Sequence, residues 1–227
     1  MAERCPCLLS RRSMMLGLAA LAAVRPLAPA AAALRPPAED IAFQALRNGS
    51  PIGTHKLRFS KDGERLTVDI EIAFAVKFAF LTLYSYHHTN RETWENGRLV
   101  RIETRTDDNG ERFRVSGRAV GDRLEIDGSS GRLTLPGDTV PSSYWDEAMA
   151  TRGEWLDTQA GSLARSAVKA QPEEMVRIGR TEVPARRYAL VGDITCDLWY
   201  HDGEWVKLLF LGEDGSAIDY VRMAGSA

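Results

Sequence analysis

Apolar and polar side chains alternate strictly between Leu66 and Phe80, which is the longest regular pattern in this chain. The apolar positions that share one side of an extended chain are Leu66, Val68, Ile70, Ile72, Phe74, Val76, Phe78 and Phe80. Neighbouring side chains of a strand point to opposite faces, so a period of two predicts a β-strand with one buried face. Because the run is longer than an ordinary strand, we expect a bend or bulge near residues 75–79.

Asn-Gly and Asp-Gly dipeptides divide most of the chain into further alternating segments. They stand at residues 48–49, 62–63, 96–97, 109–110, 202–203 and 214–215. Each can adopt positive φ at low cost and so close a tight hairpin. The predicted strands that follow residue 80 are 81–94, 98–106, 112–120, 123–126, 132–135, 162–170, 174–178, 183–191, 195–200, 205–211 and 217–222.

One stretch predicts a helix in this otherwise β-rich pattern. Ser143, followed three positions later by Asp146, has the features of a helix N-cap. We therefore predict an all-β fold: a strongly curved antiparallel sheet or incomplete barrel of consecutive hairpins, with one short helix near 143–150. A two-sheet sandwich is the alternative. We expect residues 34–227 to form a single β-rich domain.

The first 33 residues differ in composition from the β-rich remainder of the chain. Arg11 and Arg12 precede a modest apolar run over 14–24, and an Ala/Pro-rich tract follows. Paired arginines before such a run are typical of a cleavable twin-arginine export signal. We expect cleavage between about Ala30 and Ala33, a periplasmic location, and contact with the twin-arginine export machinery. General secretory export and an uncleaved anchor are alternatives, but a membrane span needs about 20 apolar residues.

The net charge limits the kinds of binding partner that we expect, and the cysteine content limits the disulfides that can form. The whole chain has a net charge of −2, and residues 1–33 carry +3, which leaves about −5 on the rest. A nucleic-acid partner is not expected, because such proteins carry a basic surface. After cleavage we expect no stable membrane span. Cys196 is then the one remaining cysteine, so it cannot form an internal disulfide, and we expect it to be a buried small residue.

The most unusual local sequence runs from residue 84 to residue 94. One face of this predicted strand carries Tyr84, Tyr86, His88, Asn90, Glu92 and Trp94. Aromatic walls with few polar groups are typical of a ligand pocket, whereas His88 and Glu92 could instead form a proton-transfer pair. A polar ladder on a half-buried sheet is the third interpretation. The candidate pocket residues are Phe74, Phe78, Tyr84, Tyr86, His88, Glu92, Trp94, Trp145 and Trp199.

No pattern predicts a metal or nucleotide site. The histidines His55, His87, His88 and His201 lack the short spacings that zinc sites favour. No glycine-rich loop precedes a helix, as a phosphate-binding loop would require. We therefore predict no metal, no cofactor and no catalytic residue.

Three segments resemble a known family: residues 84–99, residues 141–145, and residues 198–220. They are similar to the domain of unknown function 6134 family of exported bacterial β-proteins, and the resemblance extends over residues 40–222. The layout is more distantly similar to the LolA/LolB-like half-barrels of lipoprotein carriers, which implies an antiparallel sheet around an apolar cavity. The family has no assigned activity, so the resemblance implies no catalytic residues.

These observations lead to one leading hypothesis and two alternatives. We expect a non-enzymatic periplasmic protein that binds an apolar or amphipathic ligand, such as a lipid, in a β-sheet cavity. The first alternative is an envelope scaffold or interaction protein without a small ligand. The second is a hydrolase-like enzyme that uses His88 and Glu92.

Overall fold

A computed structural model describes residues 34–78 and 81–223 of the chain. The predicted export signal and its cleavage site lie outside the described residues. In the described part the strands are β1 Ile41–Arg47, β2 Ser50–Asp62, β3 Arg65–Phe78, β4 Leu81–Glu95, β5 Arg98–Asp108, β6 Glu111–Val120, β7 Arg123–Gly128, β8 Gly131–Pro136, β9 Glu154–Leu156, β10 Leu163–Ile178, β11 Thr181–Gly192, β12 Cys196–His201, β13 Glu204–Leu211 and β14 Ala217–Arg222. The helix α1 is Glu147–Ala150.

These strands form one antiparallel sheet in the order β8-β7-β6-β5-β4-β3-β2-β1-β14-β13-β12-β11-β10-β9. Strands that are adjacent in sequence pair throughout two meanders, β1–β8 and β9–β14, and the pairing of β1 with β14 joins them. The edge strands β8 and β9 do not pair with each other, so the sheet is not closed into a barrel. This architecture confirms the predicted all-β fold class.

Residues 137–162 connect the two edges of the sheet. On one side, the Ser130 amide in the β7–β8 turn donates to the Ala160 carbonyl at 2.9 Å. On the other side, β9 pairs with β10. A Cβ added to Gly128 would lie 2.6 Å from the Ala160 carbonyl oxygen, so this close approach requires a glycine. The segment, which includes the edge strand β9, thus spans the gap between β8 and β10.

The short helix begins later than the sequence pattern predicts. Asp146 is the N-cap, because its backbone is extended and its Oδ1 accepts a 2.7 Å hydrogen bond from the Ala148 amide. The predicted N-cap at Ser143 is wrong. Tyr144 has φ 54°, a left-handed conformation that prevents a helix from starting at Ser143. The prediction of one short helix near 143–150 is confirmed.

Irregularities in pairing occur in both long ribbons. The β3–β4 register shifts between Val76 and Lys77, which confirms the bulge predicted for residues 75–79. The predicted break between strands 162–170 and 174–178 is wrong, because β10 is one strand with a register shift between Gln171 and Glu174. Pro172 lies within that shift and has no backbone N–H for the ladder, so a bulge accommodates it.

The main apolar core lies on the inner face of the curved sheet. Its largest fully buried side chains are Trp145, Trp155, Trp205, Tyr200, Phe43, Ile41, Leu57, Leu99, Ile102, Leu124, Met149 and Leu156. A second, smaller cluster contains Trp199, Val176, Ala185 and Val206. The described residues belong to one compact unit, and none of their helices is both long and apolar enough to span a membrane.

Candidate functional site

The β3–β4 ribbon carries most of the candidate residues, in order along its length. Register fixes five of them: Phe74 lies opposite Tyr86, and His88, Glu92 and Trp94 lie opposite Ile72, Val68 and Leu66. We call the part around Glu92 and Trp94 the closed end and the part around Phe74 and Tyr86 the open end. The candidates on this ribbon therefore share one face of the sheet, but they lie at different positions along its length.

At the closed end, the Glu92 carboxylate is completely buried and accepts three hydrogen bonds from protein donors. Its Oε1 accepts a 2.8 Å hydrogen bond from Asn90 Nδ2. Its Oε2 accepts from the indole nitrogens of Trp94 at 3.0 Å and Trp145 at 3.1 Å. The two indoles meet edge to face, with ring centroids 5.6 Å apart. Glu92 thus ties residues 137–162 to β4 through Trp145.

The pKa of Glu92 reflects a balance between burial and hydrogen bonding. Burial raises this pKa above its ordinary value, because the charged form loses its hydration. Donors from Ser143, Trp145, Asn90 and Trp94 oppose that shift. The indole and amide bonds meet ordinary hydrogen-bond geometry, whereas the Ser143 hydroxyl is near the carboxylate without a well-formed bond. Since Glu92 has no exposed surface, its role in this conformation is to hold the closed end together.

Midway along the ribbon, His88 is buried and bound to the protein. Its Nδ1 lies 2.8 Å from Thr106 Oγ1, and its ring stacks on Tyr86 with centroids 6.3 Å apart. Burial, followed by the nearby His87, lowers the pKa of His88 to about 4. His88 and Glu92 each bond to other residues and not to each other. The proton-transfer pair of the enzyme hypothesis is therefore not formed in this conformation.

His55 is a second buried imidazole, on the neighbouring strand β2. Trp205 and Tyr220 pack edge-on against it, with centroids at 5.4 and 5.6 Å. Within the described part of the chain, neither of its ring nitrogens has a hydrogen-bond partner. Burial, followed by His88, lowers the pKa of His55 to about 3. Both buried histidines are consequently neutral at pH 7.

The open end is lined by half-buried aromatic rings. Phe74 stacks on Tyr86 at 5.9 Å and meets Tyr220 edge-on at 5.8 Å. Phe210 meets Tyr220 at 6.3 Å. Phe74, Tyr86 and Phe210 are each partly exposed, in contrast to Trp94 and Glu92 below them. The open end is therefore apolar and in contact with solvent.

Polar groups form the rim of this open end. Tyr86 donates its hydroxyl hydrogen to Gln159 Oε1 at 3.0 Å, and Tyr84 donates to Asp108 Oδ1 at 2.8 Å. Gln159 Nε2 in turn donates to Asp108 Oδ2 at 3.3 Å. Burial raises the pKa of both tyrosines, so they remain hydroxyl donors at neutral pH.

Beyond the open end, the β3–β4 ribbon extends past its neighbours. The last residue of β3 that pairs with β2 is Phe74, and the first residue of β4 that pairs with β5 is Tyr86. The projecting ribbon exposes Leu81 by 54%, Leu83 by 60% and Tyr84 by 37%. We call residues 75–78 and 81–85 of this ribbon the apolar hairpin. Phe78 lies in it, in register with Leu81.

Trp199 lies apart from the other candidates. It belongs to the second apolar cluster, and its indole nitrogen donates to Glu174 Oε2 at 3.1 Å. The Arg187 guanidinium and the Lys207 ammonium lie 5.1 and 4.9 Å from the centre of its ring, a cation–π arrangement. Trp199 thus stabilises a different face of the sheet from the one that the candidates on β4 share.

Sequence reasoning missed His55, Phe210 and Tyr220 at the inner face. They come from β2, β13 and β14, and the pairing of β1 with β14 brings these distant segments together. His55 alternates with polar residues but Phe210 stands between two leucines, and nothing in the sequence showed which strands pair across the chain. Cys196 is buried and free, as expected, and burial raises the pKa of its thiol to about 12. Among the residues that the structure describes, no group of three His, Cys, Asp or Glu side chains could hold a metal ion.

The fold and its site define an open, barrel-like β-protein with an apolar mouth. The family model for Domain of unknown function (DUF6134) matches residues 43–223, so the chain belongs to that family, as the sequence resemblance predicts. It is also similar to a solved structure described as a beta-barrel-like protein of domain of unknown function DUF1849 from Brucella abortus. The two chains share 11% identity with a TM-score of 0.59, over 84% of this chain and 97% of the other.

This structural likeness shows a shared fold and nothing about activity. It agrees with the unclosed antiparallel sheet observed here. No curated protein matches the chain. The similarity to LolA/LolB-like half-barrels stays a prediction.

Proposed function

We propose that this protein is an exported, non-enzymatic binding protein that holds the apolar part of an amphipathic ligand, such as a lipid, at its open end. The observation that carries the proposal is a gradient of exposure along one apolar face. Val68 is fully buried, Phe74 is half-buried, and Leu81, placed on the same face by its register with Phe78, is 54% exposed. A contiguous apolar surface that leads from a core to solvent is typical of a binding site.

The ligand would lie at the mouth and along the apolar hairpin, because the protein's own side chains fill the interior beneath. Phe43 and Trp205 pack there with ring centroids 4.6 Å apart, and Tyr220 lies 5.9 Å from Phe43. The rim formed by Tyr84, Asp108 and Gln159 offers hydrogen-bonding groups to a polar head. An apolar floor with a polar rim suits an amphipathic molecule better than a purely apolar one.

Export to the periplasm belongs to the same proposal. It is supported by the paired arginines Arg11 and Arg12 before the apolar run of the first 33 residues. A folded, exported protein that shields an acyl chain would serve between the membranes, where free lipid is insoluble. The scaffold alternative uses the same apolar hairpin as a contact surface for another protein, without a small ligand.

A fatty-acid titration separates these possibilities. We would titrate the protein from residue 34 onwards with anthroyloxy-labelled stearic acid and follow the fluorescence of the probe. Leu81→Glu should weaken binding at least about ten-fold, which corresponds to about 1.4 kcal/mol. Met175→Glu is the matched control, because Met175 is 62% exposed and lies in β10, outside the apolar hairpin.

Both substitutions change exposed side chains, so urea unfolding should show equal stability for the two variants. Phe74→Trp provides a second variant, since a larger ring in the half-buried mouth should displace the probe at modest cost to folding. Absence of saturable binding by the unmodified protein would overturn the proposal. Equal losses for Leu81→Glu and Met175→Glu would also overturn it, because binding would then not depend on the apolar hairpin.

A further inference from the structure

A charged groove lies on the outer face of β2–β6, on the side of the sheet opposite the main core. Its volume is about 570 Å³. Its basic lining residues are Lys56, Arg58, Arg91, Arg105 and Arg114, and three acidic residues accompany them. The groove is therefore net positive, although the whole chain has a net charge of −2. A basic groove on an acidic protein points to an anionic ligand.

The acidic residues of the groove do not neutralise its arginines evenly. Arg91 pairs with Asp69 at 2.6 Å, and Glu103 pairs at 2.5 Å with Arg101, which is not part of the lining. Arg105 and Arg114 form no ion pair within the described ranges 34–78 and 81–223, nor does either side chain form a hydrogen bond there. Lys56 and Arg58 also form no ion pair in these ranges, so four positive charges of the groove lack a partner, among them Arg105 and Arg114.

These two arginines face each other directly across β5 and β6. Directly opposed side chains have Cβ atoms about 4.5–5.5 Å apart, and like charges in such a pair destabilise the sheet. The same two strands contain a second opposed pair, Arg101 and Arg118. In that pair, however, Arg101 is bound by Glu103 and Arg118 by Glu125 at 3.3 Å. Carboxylates therefore neutralise the charges of the Arg101–Arg118 pair, but they do not neutralise those of the Arg105–Arg114 pair.

We propose that Arg105 and Arg114 form a binding site for a phosphate group. A guanidinium presents a planar fork of N–H donors, so two opposed arginines can hold the oxygens of one phosphate with several charge-assisted hydrogen bonds. Thr89, which lies opposite Arg105 on β4, supplies a neighbouring hydroxyl. Glu71 lies beyond Thr89 in the same row and would repel an anion, which places the site at β5 and β6.

The site is independent of the proposed lipid site, because it lies on the other face of the sheet. The phosphate can belong to a free ion or to the headgroup of a phospholipid, and both present the same oxygens. Two probes distinguish these sources: inorganic phosphate, and phosphatidylcholine vesicles with or without phosphatidylglycerol. Both titrations use the protein from residue 34 onwards at constant ionic strength, because screening weakens all exposed charges alike.

The decisive comparison uses two double variants of equal charge. In Arg105→Gln/Arg114→Gln the proposed site is removed. In Arg118→Gln/Arg132→Gln the lost arginines are paired with Glu125 and Asp127, at 3.3 and 3.8 Å, and neither lines the groove. We expect saturable shifts of the β5 and β6 backbone amides in NMR spectra of the unmodified protein. The first variant should lose at least about ten-fold in affinity, and the second should keep it.

Binding of inorganic phosphate alone identifies a free phosphate as the ligand, and binding only to phosphatidylglycerol vesicles identifies a headgroup. Absence of both overturns the proposal, as does an equal loss in the two variants, which would reflect general charge. Thermal unfolding provides a second readout. Loss of a repulsive pair should not lower the Tm, and phosphate should raise the Tm of the unmodified protein but not of Arg105→Gln/Arg114→Gln. A lowered Tm in that variant would indicate a structural role and contradict a binding site.

Discussion

The two ends of the β3–β4 ribbon share one alternating pattern but have different surroundings. At the closed end, Leu66 is 8% exposed and Val68 is fully buried. At the open end, Ile72 and Val76 continue the same face but are half-buried. The difference arises because residues 137–162 place Trp145 over the closed end, whereas the ribbon at the open end extends past its neighbouring strands. Alternation thus specifies a face, while distant segments decide whether it is covered.

The largest expected effect concerns the carboxylate that holds the closed end together. Glu92→Leu leaves three buried N–H donors unpaired, on Asn90, Trp94 and Trp145. We expect the free energy of unfolding to fall by about 3–5 kcal/mol. Urea unfolding monitored by tryptophan fluorescence measures this change. Glu92→Gln keeps one acceptor oxygen, so its free energy of unfolding should fall by less. An unchanged free energy of unfolding for Glu92→Leu would show that the closed end is not held by this group.

The buried histidines make stability depend on pH. Their pKa values in the folded protein, about 3 for His55 and about 4 for His88, lie below the ordinary 6.5. Protonation therefore favours the unfolded chain. The stability that they contribute is complete above pH 6.5 and is lost as the pH falls towards 4. Each histidine contributes a slope of up to about 1.4 kcal/mol per pH unit.

His55→Phe isolates this contribution. Urea unfolding between pH 7 and pH 4.5 should show a slope that is smaller by about one proton than in the unmodified protein. Glu92 titrates in both proteins, and burial raises its pKa, so its effect cancels in the comparison. Parallel pH profiles would contradict the assignment of His55 as a neutral core residue.

A matched pair of valines compares the two ends directly. Val68 is fully buried at the closed end, and Val76 is half-buried on the same face of the same strand. We expect Val68→Ala to cost about 2 kcal/mol and Val76→Ala less than about 1 kcal/mol. Urea midpoints at equal m-values give both numbers. Equal costs would mean that the open end is packed as well as the core.

The smallest expected effect lies in the segment that covers the closed end. Asp146 caps α1 through the Ala148 amide, so Asp146→Ala should lower the free energy of unfolding by about 1 kcal/mol. Ser143→Ala should cost less, because Ser143 is not the cap. The two variants are compared by thermal and urea unfolding. A larger loss for Ser143→Ala would reverse the assignment of the N-cap.

Local patterns predicted much of the fold. Asn48, Asn96, Asn109 and Asp202 adopt the positive φ that the hairpin dipeptides require, and the bulge in β3 lies where the length of the run indicated. The N-cap could not be predicted, because the left-handed conformation of Tyr144 depends on how residues 137–162 pack. These local successes reflect interactions between residues that are close in sequence.

The candidate site was harder to predict, because it depends on contacts between residues that are far apart in sequence. Trp94, Trp145 and Glu92 were among the predicted pocket residues, but their sequence did not show that the two indoles donate to the Glu92 carboxylate. Trp199 was a candidate like Trp94, and yet it lies in the second cluster, while its neighbours Leu198 and Tyr200 belong to the main core. Periodicity shows that two residues of a strand share a face, and it does not show which face is the inner one.

The most direct test of the open end as a ligand site is native mass spectrometry of the mature protein purified from the periplasm of its own producing cells, repeated under denaturing conditions. We expect a lipid-sized additional mass that is lost on denaturation and is absent from Leu81→Glu. A bare chain mass in the native spectrum of the unmodified protein would contradict the proposed ligand-binding function.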